Sequence, residues 1–311
     1  MNPTKNTKIK GFIAAPLTGF NEDGSVNTEI VSAYAEMLKS GGVAGVFVNG
    51  TTGEGVSLTL DERLRLAKSW IAEKSDAFKV IIHLGYADQE TSIKIARHAV
   101  ENGADAVGEI GPCSNQPDTI EELINRIAPT AEAASKLPYY YYHIPSINKV
   151  SFPMADFLAE ADGKIPNLTG IKYTYEDLDD YERCVQIKDG RYDILFGRDE
   201  ILIDALKRGA KGAVGSTYNF MTPLYSKLRK AFDEGDITEA ERLQALSVKA
   251  IEALVKSGSF FSALKTVLGK FGLDLGGVRQ PNVNLTADEN DQLLNALKET
   301  GAFEFLNAHT T

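Results

Sequence analysis

Eight short runs rich in β-branched or aromatic residues recur along the chain, and their spacing restricts the fold more than any other feature. They are Phe12–Ala15, Gly45–Val48, Val80–His83, Ala106–Ile110, Tyr139–Tyr142, Leu168–Lys172, Ile194–Phe196 and Gly212–Val214. Each reads as a strand. Longer segments with helical periodicity separate them. Val31, Tyr34, Ala35 and Leu38 recur at i, i+3, i+4, i+7, and so do Leu64, Ala67, Lys68 and Ile71, with Lys68 as a polar break. Thr59 with Glu62 forms a capping-box pattern, and Asp118 or Thr119 caps the segment opening at Ile120. Eight strand–helix units fill residues 1–235, close to the ~250 typical of a parallel (β/α)8 barrel. The competing architecture, a doubly wound open sheet, rarely needs eight regular units. The expected class is therefore α/β, a (β/α)8 TIM barrel with a C-terminal helical extension.

The rhythm changes over residues 236–311. Ile237–Lys256, Ser262–Phe271 and Ala287–Glu299 read as helices with no strand among them, an appendage rather than an independent domain. The chain has 311 residues, 43% hydrophobic and 24% charged, as expected of a soluble globular protein. A net charge of -10 argues against nucleic acid or an anionic membrane as the main partner. Two cysteines, Cys113 and Cys184, are too few for a disulfide framework and point to the cytoplasm. Met1–Lys10 is polar and carries no apolar signal core.

Lys172 closes the apolar run Leu168-Thr169-Gly170-Ile171, and a helix-like stretch opens after it at Glu176. An ammonium at the end of a buried strand is costly unless it is paired or its pKa has moved. Burial favours the neutral amine, the species that attacks a ketone to form a Schiff base. A move from about 10.4 to roughly 7–8 corresponds to about 4 kcal/mol, within reach of a buried site. The competing reading is a lysine that snorkels to the surface or pairs with a barrel carboxylate.

In a barrel, chemistry belongs at the C-terminal ends of the strands. The second strand ends in Asn49-Gly50-Thr51-Thr52-Gly53-Glu54-Gly55. Its small residues, hydroxyls and exposed N–H groups suit a carboxylate, or make a tight turn with no ligand. It is neither a P-loop nor a G-x-G-x-x-G motif. The fifth strand reads Tyr139-Tyr140-Tyr141-Tyr142-His143-Ile144-Pro145, and alternation sends Tyr140 and Tyr142 to one face, Tyr139 and Tyr141 to the other. A phenol at the catalytic end relays protons; elsewhere it packs the core. The last two strands end in Gly197-Arg198-Asp199-Glu200 and Gly215-Ser216-Thr217-Tyr218-Asn219, groups suited to a polyhydroxylated ligand. Asp199 and Glu200 also fit as first-turn helix residues. His83, His98, His143 and His309 are scattered without metal-ligand spacing, and no G-x-S-x-G is present. His83 reads as a hydrogen-bonded core histidine.

Along nearly its whole length the chain resembles the N-acetylneuraminate lyase and dihydrodipicolinate synthase superfamily of class I, Schiff-base aldolases. The motifs are Gly50-Thr51-Thr52-Gly53-Glu54, Tyr142-His143-Ile144-Pro145, Gly170-Ile171-Lys172, Gly197-x-Asp199-Glu200 and Gly215-Ser216-Thr217-Tyr218-Asn219, in the family's order. The wording is similar to its sialic acid lyase branch, particularly the animal type. The resemblance implies that Lys172 is the Schiff-base lysine and Tyr142 the acid/base phenol. Thr51 and Thr52 would hold the pyruvyl carboxylate, while Thr174, Gly197, Asp199, Glu200 and Ser216 line the sugar site. It implies reversible cleavage of N-acetylneuraminate to N-acetylmannosamine and pyruvate with no external cofactor and no metal. It also implies a homotetramer with small molecules as its only other partners.

Two features depart from family patterns, and a third position separates neighbouring branches of the family. The strand-four loop reads Pro112-Cys113-Ser114-Asn115, without the tyrosine that reaches a neighbouring subunit's site in many bacterial relatives. Lys149 stands where relatives commonly carry glycine. Ile147 occupies the position at which dihydrodipicolinate synthases clamp a second carboxylate with arginine. The rival expectations are another pyruvate-dependent aldolase or dehydratase acting on a 2-keto-3-deoxy sugar acid, or a silent barrel that senses a keto acid.

Overall fold

Eight parallel strands close on one another in sequence order. They are β1 (Gly11–Ala14), β2 (Gly45–Val48), β3 (Lys79–His83), β4 (Ala106–Ile110), β5 (Tyr139–His143), β6 (Leu168–Tyr173), β7 (Asp193–Phe196) and β8 (Gly212–Gly215). β8 returns to β1 with Gly11 opposite Gly212 and Ala14 opposite Gly215, completing the barrel. The structure, a computed structural model, describes residues 8–85 and 88–306, so most of the polar stretch Met1–Lys10 and all of His309 lie outside the described residues. Every expected strand is present with its ends displaced by no more than one residue; Ala15 leaves β1, and β6 runs one residue past Lys172.

Alternation along the strands divides the core in two. Ile13, Phe47, Ile81, Ile110, Tyr140, Tyr142, Leu195 and Val214 fill the barrel's interior. The intervening residues, such as Val46, Val107, Tyr141, Ile171 and Phe196, pack outward into the larger core beneath the helices. This two-sided burial is why the strands read as near-continuous apolar runs.

The helix beginning at Ile30 buries Val31, Tyr34, Ala35 and Leu38, as its periodicity predicts. On Leu60–Ala72 the buried stripe is instead Arg63, Leu66, Ala67, Trp70 and Ile71, while Lys68 is exposed. The buried stripe lies one position out of phase with the expected one, which leaves Lys68 outside it. Thr59 and Glu62 form both bonds of the capping box, and Thr119 rather than Asp118 accepts from the Glu122 N–H. The helix after β6 starts at Leu178, two residues beyond Glu176, because Asp177 caps it.

Helices Ile237–Lys256, Phe260–Lys270 and Ala287–Glu299 follow the barrel. The first packs along Thr222–Asp233. No helix among the described residues is long and apolar enough to cross a membrane.

Candidate active site

Lys172 lies opposite Tyr142 on β5 and Leu195 on β7, one residue before β6 ends, and points into the barrel's mouth. Its residual exposure is 5%, so the ammonium does not snorkel out. Nζ sits 4.1 Å from the ring centroid of Phe47 and 4.1 Å from that of Tyr142. Gly108 on β4 makes room for this arrangement, since a Cβ there would meet the Phe47 ring at 2.7 Å. Two ring faces attract a cation but replace little of its hydration. Desolvation therefore lowers the Lys172 pKa from 10.5 to about 7, with the Asp199 carboxylate opposing the shift through space. An amine with that pKa is substantially neutral at pH 7.

Strand alternation carries Tyr142 and Tyr140 inward, as expected, but their hydroxyls have different surroundings. Tyr140 donates to Asp193 Oδ2 at 2.8 Å, and the Ile9 N–H donates to the same oxygen at 3.0 Å. Tyr142 lies among the hydroxyls of Thr51 and Thr174. Burial raises its pKa to about 12, and those hydroxyls hold back part of the rise. Thr174 Oγ1 stands close enough to act on the phenol yet has no hydrogen bond of good geometry. It also crowds Gly197, where a Cβ would come within 2.0 Å of that oxygen. Tyr139 faces the helices and donates to Glu109 Oε2 at 2.6 Å.

The loops after β2 and β8 meet through Thr52 Oγ1 and Ser216 Oγ, 2.8 Å apart. Asp199 opens a 3-10 turn, Asp199–Ile201, and its buried carboxylate turns back over Gly215. Oδ2 accepts from Thr217 Oγ1 at 2.5 Å. Burial raises the Asp199 pKa to about 6, against the hydrogen bonds from Thr217, leaving it mostly ionised at neutral pH. Glu200 stands apart from this group at a half-exposed rim, 3.6 Å from Arg198, which also pairs with Glu176 at 2.9 Å.

The structure thus brings together Lys172, Tyr142, Thr51, Thr174 and Gly197, joins Thr52 to Ser216, and sets Asp199 behind them with Glu200 at the edge. Two participants escaped the motif reading. Phe47 was visible only as an inward position two residues after Gly45 on β2, and Thr217 only as part of a motif in which Ser216 drew attention. His83 is fully buried and faces inward, its ring centroid 5.5 Å from Phe47 and 5.9 Å from Tyr142. Desolvation, with Arg63 and Lys172 nearby, keeps it neutral. Lys149 takes φ 59°, ψ 15°, the left-handed conformation that glycine adopts without strain. Ile147, 37% exposed, lies on the short helix Pro145–Asn148 just beyond β5.

Residues 8–300 match the profile of the dihydrodipicolinate synthetase family. A relative named N-acetylneuraminate lyase from Pongo abelii is 37% identical over 302 residues, 96% of this chain and 94% of its own. The N-acetylneuraminate lyase structure from Proteus mirabilis superposes with TM-score 0.91 at 36% identity, covering 94% of this chain and 99% of that one. The lyase from Aliivibrio salmonicida gives TM-score 0.91 at 34% identity, with 94% and 97% covered. A barrel of this topology, with a matching profile over almost all of its length, places the chain in the dihydrodipicolinate synthetase family.

Proposed function

We propose that this protein is an N-acetylneuraminate lyase, a class I aldolase that reversibly cleaves N-acetylneuraminate to N-acetylmannosamine and pyruvate. The observation that carries the reading is Lys172, a buried amine with a pKa near 7 held against Phe47 and Tyr142. Its lone pair attacks C2 of the open-chain substrate, and loss of water gives an iminium. Thr51 and Thr52 receive the adjacent carboxylate through hydroxyls and loop N–H groups. The iminium accepts the electron pair of the C3–C4 bond as the C4 hydroxyl loses its proton. N-acetylmannosamine departs as the aldehyde, leaving an enamine that is protonated at C3 and hydrolysed to pyruvate.

A phenol with a pKa near 12 does not act as a standing base at pH 7. Tyr142 instead relays the proton, accepting from O4 while its own hydrogen passes toward substrate or solvent. Thr174, Gly197, Asp199, Glu200 and Ser216 line the polyol side, where an ionised Asp199 accepts hydroxyl hydrogens. Ile147 supplies no charge for a second carboxylate, so aspartate semialdehyde is a poor substrate. The chemistry calls for no external cofactor. A cytoplasmic homotetramer formed by residues 1–235 as barrel and 236–311 as helical appendage belongs to the same proposal, supported by the family resemblance and by the free thiols of Cys113 and Cys184.

The test is borohydride reduction in the presence of pyruvate, followed by peptide mapping, with pyruvate release compared across candidate substrates. One reduced pyruvyl group on the Lys172 peptide and preferred turnover of N-acetylneuraminate are expected. An adduct elsewhere overturns the mechanism; faster turnover of 2-keto-3-deoxygluconate overturns the substrate.

A further inference from the structure

The loop after β2 is held in an unfavourable shape. Asn49 (φ 62°) and Glu54 (φ 55°) both occupy left-handed backbone, although neither is glycine. Such conformations persist where the surroundings over-determine them. Asn49 Nδ2 donates to the Arg63 carbonyl at 2.9 Å, and Thr18 Oγ1 donates to the Gly53 carbonyl at 2.6 Å. The strongest grip comes from the far end of the chain. The buried Glu54 carboxylate accepts the Arg279 N–H at 2.8 Å and Asn282 Nδ2 at 3.1 Å, and lies 3.2 Å from the ammonium of buried Lys265. Lys265 also donates to the Gly277 carbonyl and covers the Phe20 ring at 4.4 Å. The Arg279 guanidinium bonds the Glu62 carboxylate at 2.8 Å and the Ser57 carbonyl at 3.1 Å.

A second helix reaches the other substrate loop. Gln244, buried on Ile237–Lys256, donates to the Asp199 carbonyl at 3.0 Å and accepts the Ile203 N–H at 3.0 Å. Its amide also donates to Ser247 Oγ at 2.9 Å, so its orientation is fixed from behind. One side chain thus pins both the start of the turn that carries Asp199 and the beginning of the helix Leu202–Lys207 that follows it.

We propose that the C-terminal segment is a two-point brace that sets the two halves of the substrate site separately. Glu54, Lys265 and the Arg279–Asn282 turn position the Thr51–Thr52 loop for the pyruvyl carboxylate, and Gln244 positions the Asp199 loop for the polyol. These are positioning residues, and the inference rests on the lyase reading above. A loop displaced by a fraction of an ångström loses affinity for the group it holds, while the other loop, braced from a different helix and linked to the first through the Thr52–Ser216 and Thr217–Asp199 hydrogen bonds, keeps most of its own.

The full-length enzyme gives the test, with two constants read for each variant. These are the pyruvate dissociation constant, from the fraction of Lys172 trapped by borohydride, and KM for N-acetylmannosamine in the condensation direction. Glu54→Gln with Lys265→Met removes both charges together, so neither is left buried alone. It should raise the pyruvate constant roughly tenfold and move the KM less than about twofold. Gln244→Met should do the reverse, raising KM roughly 3–10-fold with pyruvate affinity held. Should the double variant not fold, Asn282→Ala, which removes a single bond to Glu54, should give the same split at about 2–3-fold. Both constants rising together, or neither moving in folded variants, overturns the brace. Wild-type enzyme that traps no pyruvate on Lys172 overturns the lyase reading and the brace with it; trapping without a split overturns the brace alone.

Discussion

Lys172 and Lys265 are both buried, and burial lowers the pKa of both, yet the molecule surrounds them in opposite ways. Lys265 has a carboxylate at 3.2 Å, a carbonyl to donate to and the face of Phe20, so its charge is answered in several directions. Lys172 has two aromatic faces and an Asp199 that acts only through space. Rings tolerate a cation without fixing the direction of its hydrogens, and they leave the lone pair of the neutral amine unclaimed. Burial alone makes a lysine reluctant to carry charge. Withholding a directed partner is what makes it a candidate nucleophile.

Replacing each lysine by methionine strikes at that contrast. Lys172→Met should cost at least about 10⁴-fold in turnover by removing the covalent step. It should also make the protein more stable. The depression from 10.5 to about 7 is equivalent to about 5 kcal/mol of unfavourable charge burial as an upper bound. Because the folded state releases this proton near 7 and the unfolded state only near 10.5, this group makes wild-type stability rise with pH across that window. The melting gain of Lys172→Met is therefore largest near pH 6 and shrinks toward pH 10, which calorimetry can follow. The same pKa makes imine formation in the wild type fall about tenfold for each pH unit below 7.

Tyr142→Phe comes next, with kcat reduced about 10²–10⁴-fold while borohydride trapping persists, because the relay is lost but the amine is not. Tyr140→Phe, whose hydroxyl is committed to Asp193, should leave kcat within about tenfold. If Tyr140→Phe is the more damaging change, the facing of β5 has been assigned the wrong function.

Lys265→Met should run opposite to its counterpart. It leaves the Glu54 carboxylate buried without its cation and should cost about 3–5 kcal/mol, read as a lower melting temperature. Two Lys→Met variants that both melt lower would erase the distinction between the two sites. The smallest effect is expected at Lys149, whose left-handed backbone favours glycine. Lys149→Gly should stabilise by at most about 1 kcal/mol in chemical denaturation, the added freedom of the unfolded chain offsetting part of the gain.

The barrel was legible because its strands are buried on both faces and therefore form apolar runs bounded by caps and glycines. The candidate site's residues were legible as a group because polar side chains gather at and just beyond the strand ends. Lys172 and Tyr142 stand at such ends, Tyr142 also packing the barrel interior, and Thr51 and Asp199 lie in the loops that follow. Their mutual arrangement was not, because the spacing of Phe47, Tyr142 and Lys172 along the chain contains nothing about a shared contact across the barrel. The role of Glu54 was hidden for a stronger reason. Its partner Lys265 lies in Phe260–Lys270, where a lysine in an amphipathic helix reads as a solvated residue, and only the fold turns it inward. Lys68 carried the reverse lesson: a one-residue error in helical phase assigned an exposed lysine to the buried stripe.

The contact between Glu54 and Arg279 spans 225 positions, which imposes an order on the making of the protein. At a synthesis rate of about 5–20 residues per second, the loop after β2 leaves the ribosome roughly 10–45 seconds before the turn that grips it. During that interval Asn49 and Gly53 already have their partners in Arg63 and Thr18, but Glu54 lacks every C-terminal group that holds its left-handed conformation. On the proposed role of that loop, a nascent chain should therefore bind the pyruvyl carboxylate weakly until nearly all of it has been translated. Substrate or pyruvate could then protect the finished enzyme, but could not guide its birth.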